Sequence, residues 1–187
     1  MLGTSGNFSA VVEKEPLCLA ISPSGVDKAK VQAEQILLID ENAAVISEHK
    51  ARPSDESFIH IRIVKERGAA AVLHTHSIWS TMLSDLYAAE GLVVMQGYEM
   101  LKGLAGVKTH EHQESLPIIE NSQDMRALTD KVGEALRHYP EAHGFLLRRH
   151  GLYTWGDNLA EAKRHVEILE FLLETIGRRL SIQKTPA

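Results

Sequence analysis

Two histidines, His74 and His76, flank a single threonine where the apolar run AAAVL ends in HTHS. If that run is a β-strand, side chains alternate with period 2, so both imidazoles leave the same face. Two imidazoles on one face, where a strand runs out, form a chelate for zinc or a similar divalent ion. His150, in LLRRHGLYTW, stands in the same setting, after an apolar run and beside a glycine that permits a tight turn. Three imidazoles with a coordination position left open describe a catalytic zinc site, since structural zinc sites are closed by four protein ligands. A second pair of the same spacing, His110 and His112 in THEHQES, has polar neighbours and reads as exposed loop. His49, His60, His138, His143 and His165 lie in helix or loop contexts without convergent partners and read as structural or surface residues.

Three small-residue segments suit anions. GTSGNFS (3–9) offers glycines, hydroxyls and backbone that can turn its N–H groups inward as a nest. SPSG (22–25) is a second such turn. RPSDE (52–56) puts Ser54 and Asp55 at a helix start, where unpaired N–H groups and the helix dipole favour negative charge. Each also serves as an ordinary turn or cap; it is their company with a candidate zinc site that points to phosphate.

The elements that must position these residues follow from periodicity. Residues 8–22 read as two strands around a turn at Glu15-Pro16. QILLID and AAVIS read as a hairpin pair joined by Asp40-Glu41-Asn42. Residues 54–67 are helical, capped by Ser54 or Asp55 and ended by Gly68. AAAVL is a buried strand, followed by a helix over 77–89 and the strand LVVMQ. GYEMLKGLAG reads as a short helix, SLPII as a strand and 122–138 as a helix. GFLLRRHGLYTW reads as strand, tight turn, strand, and a last helix covers 158–180 with Asp157 as its cap. Strands and helices interleave, so the expected architecture is α/β: one domain over residues 1–187, with a mixed, largely antiparallel sheet flanked by helices.

A net charge of -5 gives no general attraction to nucleic acid or anionic membrane. No apolar run reaches the ~20 residues of a membrane helix, and MLGTSGNFSAVV lacks the features of a signal peptide. The single Cys18 fits a reducing compartment, so a cytoplasmic location is expected.

The ordered set GTSGNFS, SPSG, PSDE, HTHS and RRHGLYTWG resembles the class II aldolase and adducin family over nearly the whole chain. The resemblance implies a class II aldolase-like domain with a central, mainly antiparallel sheet, assembled as a homotetramer. It implies one zinc ion per subunit, held by His74, His76 and His150 near a subunit boundary. It assigns phosphate binding to Gly6, Asn7, Ser24, Gly25, Ser54 and Asp55. TSGNFS, GYEMLKGLAG, LPIIENSQD and RRHGLYTWG followed by HVEILEFL are similar to the family's dehydratase branch. That branch removes water from a small phosphorylated ketose, 5-methylthioribulose 1-phosphate, in methionine salvage. A glutamate matching Glu99 is its acid/base, and Lys102 in the same block would contact substrate. Glu56 falls where the family's sugar-phosphate aldolases carry their catalytic glutamate, so carbon–carbon cleavage at the same metal stands as the alternative. Arg148 and Arg149 flank the third histidine. Strand alternation would set Arg148 on the face of His150, within reach of phosphate or a neighbouring subunit's acid. A third reading, a binding module like the adducin head, predicts degraded metal ligands, whereas all three histidines stand in place here. Family members carry a helix ahead of the first phosphate loop. Only Met1 and Leu2 precede Gly3, so the start is either truncated or able to dispense with that helix.

Overall fold

The computed structural model describes residues 6–28, 30–47 and 51–183. Gly3, Thr4 and Ser5 of the first small-residue loop, and His49, lie outside the described residues. In chain order the elements are β1 (Asn7–Lys14), β2 (Leu17–Ile21), β3 (Leu37–Asp40), α1 (Ser57–Arg67), β4 (Ala71–Thr75), α2 (Ile78–Leu86) and β5 (Leu92–Gln96). There follow β6 (Gln113–Ile119), α3 (Met125–His138), β7 (Gly144–Leu147), β8 (Gly151–Gly156) and α4 (Leu159–Gln183). A short 3-10 turn, Glu99–Gly103, replaces the helix expected in the GYEMLKGLAG block.

The strands form one eight-stranded sheet in the order β3-β2-β1-β4-β8-β7-β6-β5. Every neighbouring pair is antiparallel except β6 with β7. Period-2 alternation sorts the central strands onto two cores. Val72, Phe145, Leu147, Tyr153 and Trp155 face a layer that contains Ile59 and Ile63 of α1 and Leu128, Val132 and Leu136 of α3. Leu146 and Leu152 face the other layer, with Leu83 of α2 and Leu169, Leu172 and Leu173 of α4. Each of these side chains is at least nine-tenths buried and stabilises the fold by about 1.5–3 kcal/mol relative to exposure. Among the described residues no helix is long and apolar enough to cross a membrane.

Three local expectations need correction. The second strand expected in 43–47 shrinks to one bridge, Ile39 with Val45. The Asp40 carboxylate takes the N–H groups of Asn42 and Ala44 at 2.8 and 2.9 Å, bending the chain out of the ladder. Helix α1 starts at Ser57, with Glu56 as its cap residue and no side-chain cap. The turn before it is closed by Ser57 N–H on the Ser54 carbonyl at 2.9 Å, and the Ser54 hydroxyl accepts from Glu56 N–H at 3.3 Å. Finally, Asn158 rather than Asp157 caps α4, its Oδ1 accepting from Glu161 N–H at 2.9 Å, while the N–H of Asp157 donates to the Glu161 carboxylate. Gly68 does end α1, at φ 66°, a conformation glycine adopts without strain.

Candidate functional site

β4 ends at Thr75, and the β7–β8 turn carries His150, so pairing of β4 with β8 brings all three histidines together. Their Nε2 atoms are 2.8 Å (His74–His76), 2.9 Å (His76–His150) and 3.4 Å (His74–His150) apart. His74 gives its Nδ1–H to the Leu152 carbonyl at 2.9 Å, which leaves the Nε2 lone pair free to bind a cation. Burial holds His74 well below its usual pKa, the neighbouring imidazoles adding to the effect. Burial also lowers His150, more than the adjacent Glu56 raises it. The Nδ1 of His150 is buried without a hydrogen-bond partner among the described residues.

Glu56 completes the cluster. Its Oε1 lies 3.3 Å from His150 Nε2 and 3.7 Å from His74 Nε2. Its Oε2 accepts from the Asn7 amide at 2.6 Å. The Asn7 carbonyl oxygen accepts from His60 Nε2–H at 2.6 Å, and His60 Nδ1 then accepts from the Ser9 hydroxyl at 2.7 Å. Sheet register explains why these meet: Asn7 of β1 lies opposite His74 of β4, and His74 lies opposite Tyr153 of β8. The rings of His74 and Tyr153 stack at 3.9 Å. The Tyr153 hydroxyl is buried without a well-formed hydrogen bond, and burial together with the nearby Glu56 carboxylate keeps it protonated.

A cavity of about 760 Å³ elsewhere is the larger, but the cavity that reaches the cluster, at His150 and Glu56, is one of about 730 Å³. Ser24, Ser54, Asp55, Glu56 and His150 line it, with Arg52 and the stretch Asn121–Gln123. Gly25, at φ 72°, turns the chain beside Ser24. Gly6, at φ 84°, packs its backbone on the carbonyl of His74, where a Cβ would clash. The Asn7 side chain is committed to Glu56 and His60. Lys102 and Glu99 form their own pair at 2.6 Å. Glu99 is 73% exposed, Lys102 holds its carboxyl below the usual range, and its ion pairs are with Lys102 and His110 rather than with His74, His76 or His150. Arg148 sits in the turn after β7 rather than on a strand, so alternation does not govern it. It bridges Asp85 and Glu120 at 3.0 and 2.7 Å.

Sequence reasoning missed Arg52, His60 and Tyr153. Glu56 and His60 are four residues apart, a spacing that puts both on one side of a helix start, and this signal was available. It also misjudged His112 and His143. Both nitrogen sets converge on the buried carboxylate of Glu114, His112 Nε2 at 3.1 Å and His143 Nδ1 at 2.8 Å. The physical reason is the parallel pairing of β6 with β7, a contact between distant segments that no local pattern reveals. His165 is a buried structural residue, donating to the Trp155 carbonyl and accepting from Ala105 N–H.

The sequence matches the family described as Class II Aldolase and Adducin N-terminal domain over residues 1–176. A methylthioribulose-1-phosphate dehydratase of Picosynechococcus sp. is 40% identical over 184 residues, covering 96% of this chain and 84% of that protein. One from Persephonella marina is 38% identical over 171 residues, covering 91% and 78%. Among solved structures, an L-fuculose 1-phosphate aldolase shares the fold with a TM-score of 0.77 at 23% identity, over 100% of this chain and 81% of that one. An L-fuculose-1-phosphate aldolase from Thermus thermophilus gives 0.72 at 25% identity, over 98% and 87%. The match along the sequence and the match of the sheet and its helices agree, and the chain belongs to the class II aldolase and adducin family.

Proposed function

We propose that this chain is a metal-dependent dehydratase that removes water from 5-methylthioribulose 1-phosphate, in methionine salvage. The observation that carries the reading is a carboxylate, Glu56, held by Asn7 at the rim of three converging imidazoles. Curated relatives that span most of the chain at about 40% identity carry that activity in their names.

The residues fit a zinc ion. Three Nε2 atoms crowd within 3.4 Å of one another, and His74, neutral and donating through Nδ1, presents a lone pair to that space. A zinc ion held by His74, His76 and His150, one per subunit, would supply Lewis-acid polarisation of the substrate carbonyl and its neighbouring hydroxyl. The chain's own residues do the rest. Ser24, Arg52, Ser54 and Asp55 line the cavity beside the cluster and, with Gly25 and the Gly6–Asn7 backbone, bind the phosphate. Glu56, oriented by Asn7, takes the proton from C3 of the ketose. Hydroxide is a poor leaving group, so the C4 hydroxyl must leave with a proton, and a carboxylic acid near both atoms provides it. The proton that Glu56 takes from C3 is the one it returns to C4; where the homotetramer brings Glu99 and its partner Lys102 to the cluster of a neighbouring subunit, the Glu99 carboxylate takes and returns that proton instead. The same reading places the enzyme in the cytoplasm.

The test is to incubate zinc-loaded protein with 5-methylthioribulose 1-phosphate and follow products by mass spectrometry. A product lighter by one water supports the dehydratase. A triose phosphate and an aldehyde would mean aldolase chemistry at the same site, and unchanged substrate with full zinc occupancy sinks the substrate assignment. Glu56→Gln and Glu99→Gln, run in parallel, assign the acid/base: its loss costs about 10²–10⁴-fold in kcat.

A further inference from the structure

We propose that His112, Glu114 and His143 form a second site for a divalent transition-metal ion, at the end of the strands opposite the first. β4, β7 and β6 run in the same direction, since β4 and β7 are each antiparallel to β8 and β6 is parallel to β7. His76 follows the end of β4 and His150 follows the end of β7, whereas His143 precedes β7 and His112 precedes β6. The two clusters therefore occupy opposite ends of the same strands. Both use the same device: two ligands with one residue between them, one on a strand and one just beyond its end, and a histidine at the end of the neighbouring strand.

The donor set is two imidazoles and a carboxylate, which suits zinc, iron, cobalt or manganese. The three ligand atoms lie within 4.8 Å of one another. Two of the three, His143 and Glu114, are held by a further contact in the way metal ligands are. His143 Nε2–H donates to the Ala105 carbonyl at 2.8 Å, so Nδ1 is the nitrogen turned to the cluster. The same Ala105 peptide gives its N–H to His165, which is anchored in turn on Trp155. Glu114 accepts the backbone N–H of His143 on Oε1 at 2.8 Å, leaving Oε2 to face both imidazoles. Glu114 is 1% exposed, and His143, whose affinity for a proton the Glu114 contact raises, balances its charge in the absence of an ion, a role a metal ion would take over. The ion takes the place of the hydrogen shared by His143 Nδ1 and Glu114, which passes to solvent. Its open positions face the cavity of about 760 Å³, where Lys108, Glu111 and Glu141 stand at the wall and water can complete the coordination.

The experiment counts ions. Wild-type protein, His112→Ala and His76→Ala are loaded with Zn2+, freed of excess by gel filtration and measured by elemental mass spectrometry, with circular dichroism to confirm folding. His112 is the ligand to remove because its side chain is 27% exposed and lies outside the strand, so the buried Glu114–His143 contact survives its truncation. Two ions per wild-type chain and one in each variant are expected. Any wild-type count that His112→Ala leaves unchanged overturns the second site. One wild-type ion lost in His112→Ala and kept in His76→Ala upholds it while removing the zinc of the proposed dehydratase.

Discussion

Asn7 holds Glu56: its amide donates to the carboxylate at 2.6 Å while its carbonyl accepts from His60 at 2.6 Å. Because the Asn7 oxygen can only accept, His60 carries its hydrogen on Nε2 and receives the Ser9 hydroxyl on Nδ1. Ser9, His60 and Asn7 thus form one chain of donors that ends on the candidate catalytic carboxylate.

Asn7→Ala leaves His60 and Glu56 each short of a partner in a buried setting, at a cost of about 1–3 kcal/mol. The expected result is a lower denaturant midpoint and a kcat reduced by roughly tenfold or more, with bound zinc unchanged. Kinetics and metal analysis on the same preparation check it. A wild-type kcat would mean that Glu56 is positioned by something else.

His60 is fully buried, and desolvation pushes its pKa down to about 3. The unfolded chain, with an ordinary histidine near 6.5, binds this proton first. The native state is therefore unpenalised above about pH 6.5 and loses stability as the pH falls toward 3, by up to about 1.4 kcal/mol per pH unit. His60→Gln keeps hydrogen-bonding capacity without titrating. Urea unfolding between pH 7 and pH 4 is expected to show a slope shallower by about one proton in that variant.

Zinc that binds only the folded chain raises its melting temperature. At a free concentration a hundredfold above Kd the gain is about 2.7 kcal/mol per site. His76→Ala removes a donor from the first cluster, so the zinc-induced shift is expected to shrink. A differential scanning measurement with and without a chelator reads this directly.

Gly6→Ala meets two obstacles, a φ of 84° and the carbonyl of His74. The first costs roughly 1–2 kcal/mol, and the second displaces the start of β1 and with it Asn7. Stability and activity are expected to fall together. Gly25→Ala, with φ 72° and open space around the added carbon, is expected to cost only the conformational strain. Equal losses of stability in the two variants would show that the His74 contact is easily relieved.

Local periodicity made much of this protein legible. Alternation along AAAVLHTH put His74 and His76 on one face, and both are on that face in β4 and just beyond it. Apolar runs and glycines located all but the weakest elements, since those signals act over a turn or a strand of chain, while the caps of α1 and α4 fell one or two residues from those expected. The failures were of a different kind. AAVIS has strand composition, yet an Asp40 side chain competing for two N–H groups decides its path. His112 and His143 look like loop histidines until β6 and β7 pair in parallel around Glu114. The meeting of Glu56 with His150, and of Asn7 with His60, depends on the register of β1, β4 and β8 across long stretches of chain. Residue type and spacing by themselves determined which side chains are capable of the chemistry. Which of them share a site was decided by tertiary structure alone, because sheet register is set by burial of the two cores and by long-range pairing rather than by any neighbour in sequence.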